Sequence, residues 1–360
     1  MEIIITSNSV VTYDAIGNDI EKMLSVLGEK YPCHVYSPYV LNRSINFISR
    51  DKLLDLISDD SNLLIYHHSI FWDDIENILG RARCKIVFKY HNITPAGYFE
   101  RYSRHYYDLC RQGRQQTIRL AEKHPDSLWL SDSSFNSEDI KAPSKEVVPP
   151  FNDIDRLSSL KPDDYLLQGF MESNKINLLF VGRIAPNKNH RFLFDVLSDY
   201  IQNYGVNICL HLVGKTDERL RSYHKELLGL VRKMSLKDHV RFAGEVGSSE
   251  MLAYYLGCDF YVCPSDHEGF CVPIVESQAF RLPLIAKQSS AVAETAGEGQ
   301  ILLTDDPAEY SAAIRLLSEN QSYLRRLVKA GHHNYVSRFG NDIIKDKFLR
   351  VLSEYTGVDM

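Results

Sequence analysis

The chain of 360 residues is poor in the features that would give it a quick identity. Its seven cysteines include no Cys-x-x-Cys pair, so they read as free thiols rather than a zinc site or a disulfide framework. No apolar run reaches 18 residues, which excludes a spanning helix on length alone. Basic residues are not in excess, and a net charge of −6 argues against a nucleic-acid binder. Internal repeats and low-complexity segments are absent. The Gly-x-x-x-x-Gly-Lys-Ser/Thr pattern is missing too, so a P-loop is excluded. The opening "MEIIITSNSVV" has no basic stretch before its apolar run and reads as a first strand, so a cytoplasmic protein is expected.

What is present is a soluble globular composition, 44% hydrophobic and 24% charged, in a length that suits two domains. Short apolar or β-branched runs alternate with helical patterns. In the first half the runs are 2–6, 33–37, 62–68, 84–91 and 127–131, with helices expected over 14–28, 50–58, 71–80 and 98–123. The second half repeats the scheme at 176–182, 207–214, 240–245, 259–265 and 282–287. Near-continuous apolar strands separated by helices indicate parallel sheets covered on both faces. Between the halves, "APSKEVVPPFNDIDRL" (142–157) carries three prolines and no helical period, as a linker does. The expected architecture is α/β, with two doubly wound Rossmann-like domains over 1–150 and 151–340. A ligand is then expected beyond the carboxyl ends of the strands, in a cleft between the domains.

Three constellations lie at such strand ends. "SDHEGFCVPIVESQAF" (265–280) follows a strand with a loop and then a helix whose first turn holds Pro273. Gly269 allows close backbone approach, and the amides of Gly269, Phe270 and Cys271 precede a helix N-terminus that favours anions or hydroxyl oxygens. Glu268 and Glu276 flank that start. "LLFVGRIAPNKNH" (178–190) is a strand, a turn at Gly182, and two cations, Arg183 and Lys188. A guanidinium can bridge two oxygens while an ammonium adds a point charge, which suits a diphosphate. "VFKYHNITPAGYF" (87–99) puts His91 at the end of a core strand.

Together, "GRIAPNKNH", "FAGEVGSSEMLAYYLGCDFYVCPS" and "EGFCVPIVESQAFRLPLIA" resemble the retaining nucleotide-sugar glycosyltransferases of glycosyltransferase family four, with the GT-B fold. The resemblance covers roughly 176–300. "YDAIGNDI" (13–20) and "YHNITP" (90–95) resemble a subset associated with bacterial surface-polysaccharide assembly, often mannosyl or rhamnosyl transferases. Many members carry a Gly-Gly pair after the first strand, where this chain has Gly17 alone.

The resemblance implies a nucleotide-diphosphate-sugar donor and a glycan or lipid-linked glycan acceptor, with no cofactor and no divalent metal. Arg183 and Lys188 would bind the diphosphate, while Glu268 and the amides of Gly269, Phe270 and Cys271 would hold sugar hydroxyls. Glu276 would accept from the ribose hydroxyls, and Val246 would lie beside the base. His91 would touch the donor sugar; Gly17, Asn18 and Asn92 would lie on the acceptor or phosphate side. A carboxyl-terminal helix within 341–360 would cross back to the first domain.

Two rivals are a two-carboxylate glycosidase and a non-catalytic sugar-nucleotide-binding subunit of a glycosylation complex. The first leaves Arg183 and Lys188 without a task, and the second has no reason to keep the whole set. "NDID" (152–155) contains Asp-x-Asp, but sits in the linker rather than at a strand end. The segment 101–120 holds five arginines, three tyrosines and one acid, a basic stripe that suits an anionic membrane surface as well as a solvated or acceptor-binding helix face.

Overall fold

The computed structural model describes residues 1–11, 14–41 and 45–360, so Tyr13 of the stretch 13–20 lies outside the described residues. The chain divides into two compact units. One comprises 1–96, 107–153 and 339–360; the other comprises 97–106 and 154–338.

In the first unit, β1 (Ile3–Ser7) is followed by the short β2 (Ser9–Val11), then β3 (Cys33–Tyr36) and β4 (Tyr39–Leu41). Further on come β5 (Leu63–His68), β6 (Lys85–Tyr90), β7 (Leu128–Ser131) and β8 (Lys145–Val147). The main sheet runs β3-β1-β5-β6-β7-β8 and is parallel throughout, while β2 and β4 pair separately. The strand order reverses beside β1, between β3 and β5. Burial of β1 and β5 at every position explains their unbroken apolar runs.

The helix Asn341–Thr356 completes this unit's core, with Ile344, Phe348, Val351 and Leu352 packed among Ile3, Ile5, Val87 and Leu130. The two chain passages into this unit are clasped together. The Asn152 amide donates to Asn341 Oδ1 at 3.1 Å, and Asn341 Nδ2 donates to the Asn152 carbonyl at 3.0 Å. Asn152 Nδ2 also donates to the Phe339 carbonyl at 2.9 Å, so the first residue of "NDID" serves the backbone.

In the second unit the strands are β9 (Ile176–Val181), β10 (Ile208–Val213), β11 (Val240–Gly244), β12 (Phe260–Cys263), β13 (Leu284–Lys287) and β14 (Ile301–Leu303). Their order is β11-β10-β9-β12-β13-β14, again all parallel. The reversal falls between β9 and β12, which makes the loops after those two strands the walls of a switch-point crevice. Glycines line the rim beside it. Gly214 has φ +145°, and a Cβ there would lie 2.1 Å from the Gly182 carbonyl oxygen, so the close approach of those strand ends requires glycine.

Two expectations change. The helix expected over 98–123 is broken: a short 3-10 turn covers Ala96–Phe99, and the α-helix begins at Arg104. Ser103 starts it, its Oγ accepting from the Tyr106 amide at 3.4 Å in the manner of an N-cap. The domain boundary also differs, because 97–106 belongs to the second unit although it lies in the first half of the chain.

Phe348 is fully buried against Phe151 at a ring separation of 5.8 Å. Phe348→Ala should destabilise the first unit by about 3–5 kcal/mol. Urea unfolding followed by hydrogen exchange in 1–96 reads it; unchanged protection there would refute the packing role of 341–356.

Candidate active site

The loops after β9 and β12 are joined by adjacent polar links. Asn187 Nδ2 donates to the His267 carbonyl at 3.0 Å, and Asn189 Nδ2 donates to Asp266 Oδ1 at 3.1 Å. Between them Lys188 Nζ donates to both Glu268 carboxylate oxygens, at 2.6 and 2.7 Å. Asn189 can make its link because it adopts φ +50°, a left-handed conformation that asparagine tolerates. Burial opposes the Lys188 charge, but the Glu268 carboxylate outweighs it and holds the ammonium above its ordinary range. The side chain as a whole stays 22% exposed.

Glu268 is itself anchored, its amide donating to Ser290 Oγ at 2.9 Å. Cys271 has φ +73° and ends the loop as N-cap of the helix Val272–Ala279, with Pro273 in its first turn. The approach of Gly269, Phe270 and Cys271 to a helix N-terminus expected from sequence is therefore built. Glu276 lies on the same helix, and Tyr255 donates to its Oε2 at 2.5 Å. Val246 follows β11 and packs, half-buried, at the edge of an apolar cluster around Tyr254 and Tyr255.

Arg183 is exposed, yet has a definite partner. Its Nη1 donates to Tyr106 Oη at 3.1 Å, and the guanidinium lies over the Tyr106 ring at 5.0 Å. Tyr106 Oη in turn donates to Asp217. Tyr106 belongs to the short segment 97–106, and Tyr98 of that segment packs its ring 6.2 Å from His267. Sequence reading missed Tyr106 and Asp217, which lie 77 residues before Arg183 and 34 after it. Ser103 at the helix start was the available signal.

In the first unit, His91 follows β6 directly. Its Nδ1 lies 2.9 Å from Asp132 Oδ2 and its Nε2 lies 2.8 Å from His67 Nδ1, so both ring nitrogens are engaged. Asp132 also accepts from the fully buried Lys89, whose Nζ reaches Oδ1 at 2.5 Å. Asp19 Oδ2 lies 3.8 Å from both imidazoles and has no hydrogen-bond partner among the described residues. None of Asp19, His67, Lys89 and Asp132 was picked out from sequence. A lysine inside the apolar run "CKIVFKYH" was the visible clue, since a buried charge demands a partner.

Gly17 lies in the helix Ala15–Gly28, where a Cβ would meet the Val11 carbonyl oxygen at 2.1 Å, so it has a packing reason to be glycine. Asn18 is half-buried one residue on. Asn92 has φ +67° and donates through Nδ2 to Asp139 at 3.2 Å, beside Tyr90 and Arg114, which bond the same carboxylate. The basic stripe is largely neutralised. Arg101 pairs with Glu226, Arg111 with Asp108, Arg114 with Asp139 and Arg119 with Glu76.

Two groups among the described residues bring three possible metal-ligand atoms within 4.8 Å: Asp19, His67 and His91, and Cys263, Glu268 and Cys271. In the second group the Lys188 ammonium already occupies Glu268. In the first, a direct hydrogen bond joins the two imidazoles. No helix among the described residues is long and apolar enough to cross a membrane.

Residues 168–334 match the family model described as glycosyl transferases group 1, a span that contains Arg183, Lys188, Glu268 and Glu276. A D-inositol 3-phosphate glycosyltransferase of Geodermatophilus obscurus is 26% identical over 199 residues, 54% of this chain and 43% of that protein. An O-antigen chain mannosyltransferase of Salmonella typhimurium is 30% identical over 180 residues, 49% of this chain and 46% of that protein. The chain thus spans about half the length of the curated relatives it matches. Among solved structures, Anabaena HepE in complex with UDP and glucose superposes with a TM-score of 0.74 at 16% identity, covering 98% of this chain and 99% of that one. Sucrose-phosphate synthase from Thermosynechococcus elongatus gives 0.75 at 16% identity, covering 99% and 100%. The two Rossmann-like units are those of the GT-B fold.

Burial pushes the Asp19 carboxyl up to about 6, with Lys89 and His91 opposing that rise, Asp132 adding to it, and the Phe151 amide lowering it through a hydrogen bond. The folded chain therefore binds this proton more tightly than the unfolded chain, whose carboxyl titrates near 3.9. Asp19's contribution is fully present below pH 4 and is lost as pH rises through 6. Asp19→Asn removes that dependence. Relative to the parent, the variant should gain up to about 3 kcal/mol in stability between pH 4 and pH 7, read by denaturant midpoints. A difference that stays constant with pH would refute it.

Proposed function

We propose that the protein is a retaining glycosyltransferase that moves a hexose from a nucleotide-diphosphate sugar to a glycan or lipid-linked glycan acceptor. The donor is GDP-mannose or a UDP- or dTDP-sugar, and the setting is cell-surface polysaccharide synthesis. The observation that carries this reading is the linked pair of loops at the switch point of the second unit. They bring Arg183, Lys188, Glu268 and a helix N-terminus to adjacent strand ends, within the span that matches the glycosyl transferase family. The Anabaena structure holding UDP and glucose on the same fold supports a nucleotide-sugar donor. The Salmonella relative, named for mannosyl transfer to O-antigen, supports a polysaccharide acceptor.

Breaking the bond between sugar and diphosphate develops positive charge on the sugar and negative charge on the leaving group. Arg183, Lys188 and the amides of 269–271 are the groups to meet the negative charge. Glu268, oriented by Lys188, accepts from sugar hydroxyls. Glu276, oriented by Tyr255, accepts from ribose. With the departing phosphate taking the acceptor's proton, attack on the same face needs no carboxylate nucleophile. The paired arginines of 101–120 contribute nothing that requires a membrane, and the acceptor's location does not rest on them.

Donor identity is read by a thermal-shift panel of UDP-, GDP-, dTDP- and ADP-sugars. A bound donor at about 100 times its Kd should stabilise by about 2.7 kcal/mol. No response to any of the four would remove the donor assignment. Glu276→Ala should raise the donor KM, because ribose is held alike in ground and transition states. Arg183→Ala should lower kcat by about 10²–10³, since its charge faces one that grows during reaction. A Glu276→Ala enzyme with unchanged donor KM would mean that another group holds the ribose.

Transfer should also survive exhaustive chelation, because Arg183 and Lys188 supply the positive charge. Activity lost to chelator and restored by magnesium or manganese would overturn metal independence.

A further inference from the structure

The carboxyl ends of β5, β6 and β7 enclose a chain of buried polar side chains in the first unit. Lys89 Nζ donates to Asp132 Oδ1 and to the Val148 carbonyl, each at 2.5 Å. Asp132 Oδ2 meets His91 Nδ1, and His91 Nε2 meets His67 Nδ1. Asp19 holds the linker through Oδ1, which accepts from the Phe151 amide at 2.8 Å, while Oδ2 has no hydrogen-bond partner among the described residues. Burying two ions costs several kcal/mol each, and well-packed apolar residues often serve stability as well. Retention of so many charges at the strand ends, where open α/β sheets bind ligands, calls for a task beyond folding.

The protonation pattern can be read from the partners. Burial works against the Asp132 charge, but His91 and Lys89 outweigh it and keep the carboxyl below its ordinary range. An ionised carboxylate only accepts, so His91 Nδ1 must carry the hydrogen. Burial first of all, with the His91 ring and Lys89 beside it, holds the proton affinity of His67 well below the ordinary range and keeps it neutral. In a neutral His91 ring with its hydrogen on Nδ1, Nε2 is bare, and His67 with its hydrogen on Nδ1 donates to it. His67 Nε2 is then bare as well, in keeping with its lack of a hydrogen-bond partner among the described residues.

His67 Nδ1 therefore has two acceptors before it. One is His91 Nε2 at 2.8 Å and in use; the other is Asp19 Oδ2 at 3.8 Å and unused. His91 Nε2 has one lone pair, so a ligand hydroxyl can bond it only if His67 lets go. We propose that Asp132, held by Lys89, is the positioning residue of His91, and that His67 swings its Nδ1–H from His91 to Asp19 when a sugar hydroxyl binds His91 Nε2. The exchange leaves no buried donor unpaired in either state. It explains why a fully buried carboxylate oxygen is kept without a partner beside two imidazoles. The identity of the hydroxyl rests on the glycosyl-transfer reading; the tautomer and the exchange do not.

Two measurements test it. Long-range ¹⁵N–¹H correlation spectra of the imidazoles should show His91 protonated at Nδ1 and bare at Nε2 in the free protein. Saturation with GDP-mannose or with UDP-glucose, whichever the protein turns over, should shift the His67 Nδ1 and His91 Nε2 signals together. In kinetics, Asp132→Asn should lower kcat by about 10- to 100-fold, the scale seen when the partner orienting a functional imidazole is lost, with donor KM unchanged. Because Asp132→Asn leaves Lys89 buried without its counter-ion, the double variant Lys89→Met with Asp132→Asn is the control. It should regain thermal stability without regaining kcat.

A parent-like kcat in the double variant, or a His91 bare at Nδ1, would overturn the proposal. So would a stoichiometric transition metal in the purified protein, since it would replace the hydrogen bond between the imidazoles. A parent protein that turns over no nucleotide-sugar would sink the transfer reading instead, while the spectra of the free protein would still decide the tautomer.

Discussion

The ion pair between Lys188 and Glu268 is the contact on which the second unit's site depends. It joins two loops that are 80 residues apart in sequence but leave adjacent strands, β9 and β12. Without it, Glu268 would be a buried carboxylate beside two buried cysteines, and Lys188 would lack the partner that keeps it charged despite burial. The flanking links from Asn187 and Asn189 fix the register of the two loops, so the pair forms with both carboxylate oxygens engaged. Pre-organisation of this kind is what electrostatic catalysis requires, because charges that need not rearrange cost nothing at the moment of reaction.

The first unit solves a related problem with deeper burial. Lys89 and Asp132 neutralise each other inside the sheet, and their remaining hydrogen-bonding capacity is spent on Val148 and His91. The two pairs differ in exposure, and that difference separates their chemistry. Lys188 keeps part of its side-chain surface open. Lys89 has none and can act only through its neighbours.

The sequence made the architecture legible wherever a strand was buried on both faces. The runs at 62–68, 84–91, 176–182 and 207–214 match β5, β6, β9 and β10 to within a residue at each end. It hid β8 and β14, short strands at the sheet edges, where "KEV" and "ILL" are too brief for any periodicity to emerge. The helix expected over 98–123 is longer than the one found, because the oxygen of Ser103 caps a helix that begins only at Arg104. The charged residues of the candidate site were visible because each follows a strand within one loop. Their partners were not. Tyr106 with Asp217, or Asp19 with His67, meet only because the sheet order brings distant strand ends together, and no local pattern encodes that.

Those partners bear on how two cations can sit at adjacent strand ends without strain. Cations left bare near a protein's apolar surface repel one another and lose hydration. Here each cation rests on an internal acceptor: Lys188 on Glu268, and Arg183 on Tyr106, itself bonded to Asp217. Lys188 has three donor hydrogens and Arg183 five, so neither must abandon its resting partner to bond phosphate oxygens. Glu268 and Asp217 also lower the net positive potential at these strand ends. For the proposed transfer, such an arrangement would give up some affinity for a diphosphate and in exchange hold its geometry with or without one. That ordering of requirements would suit a catalyst that must turn over better than a module whose only task is to hold a nucleotide.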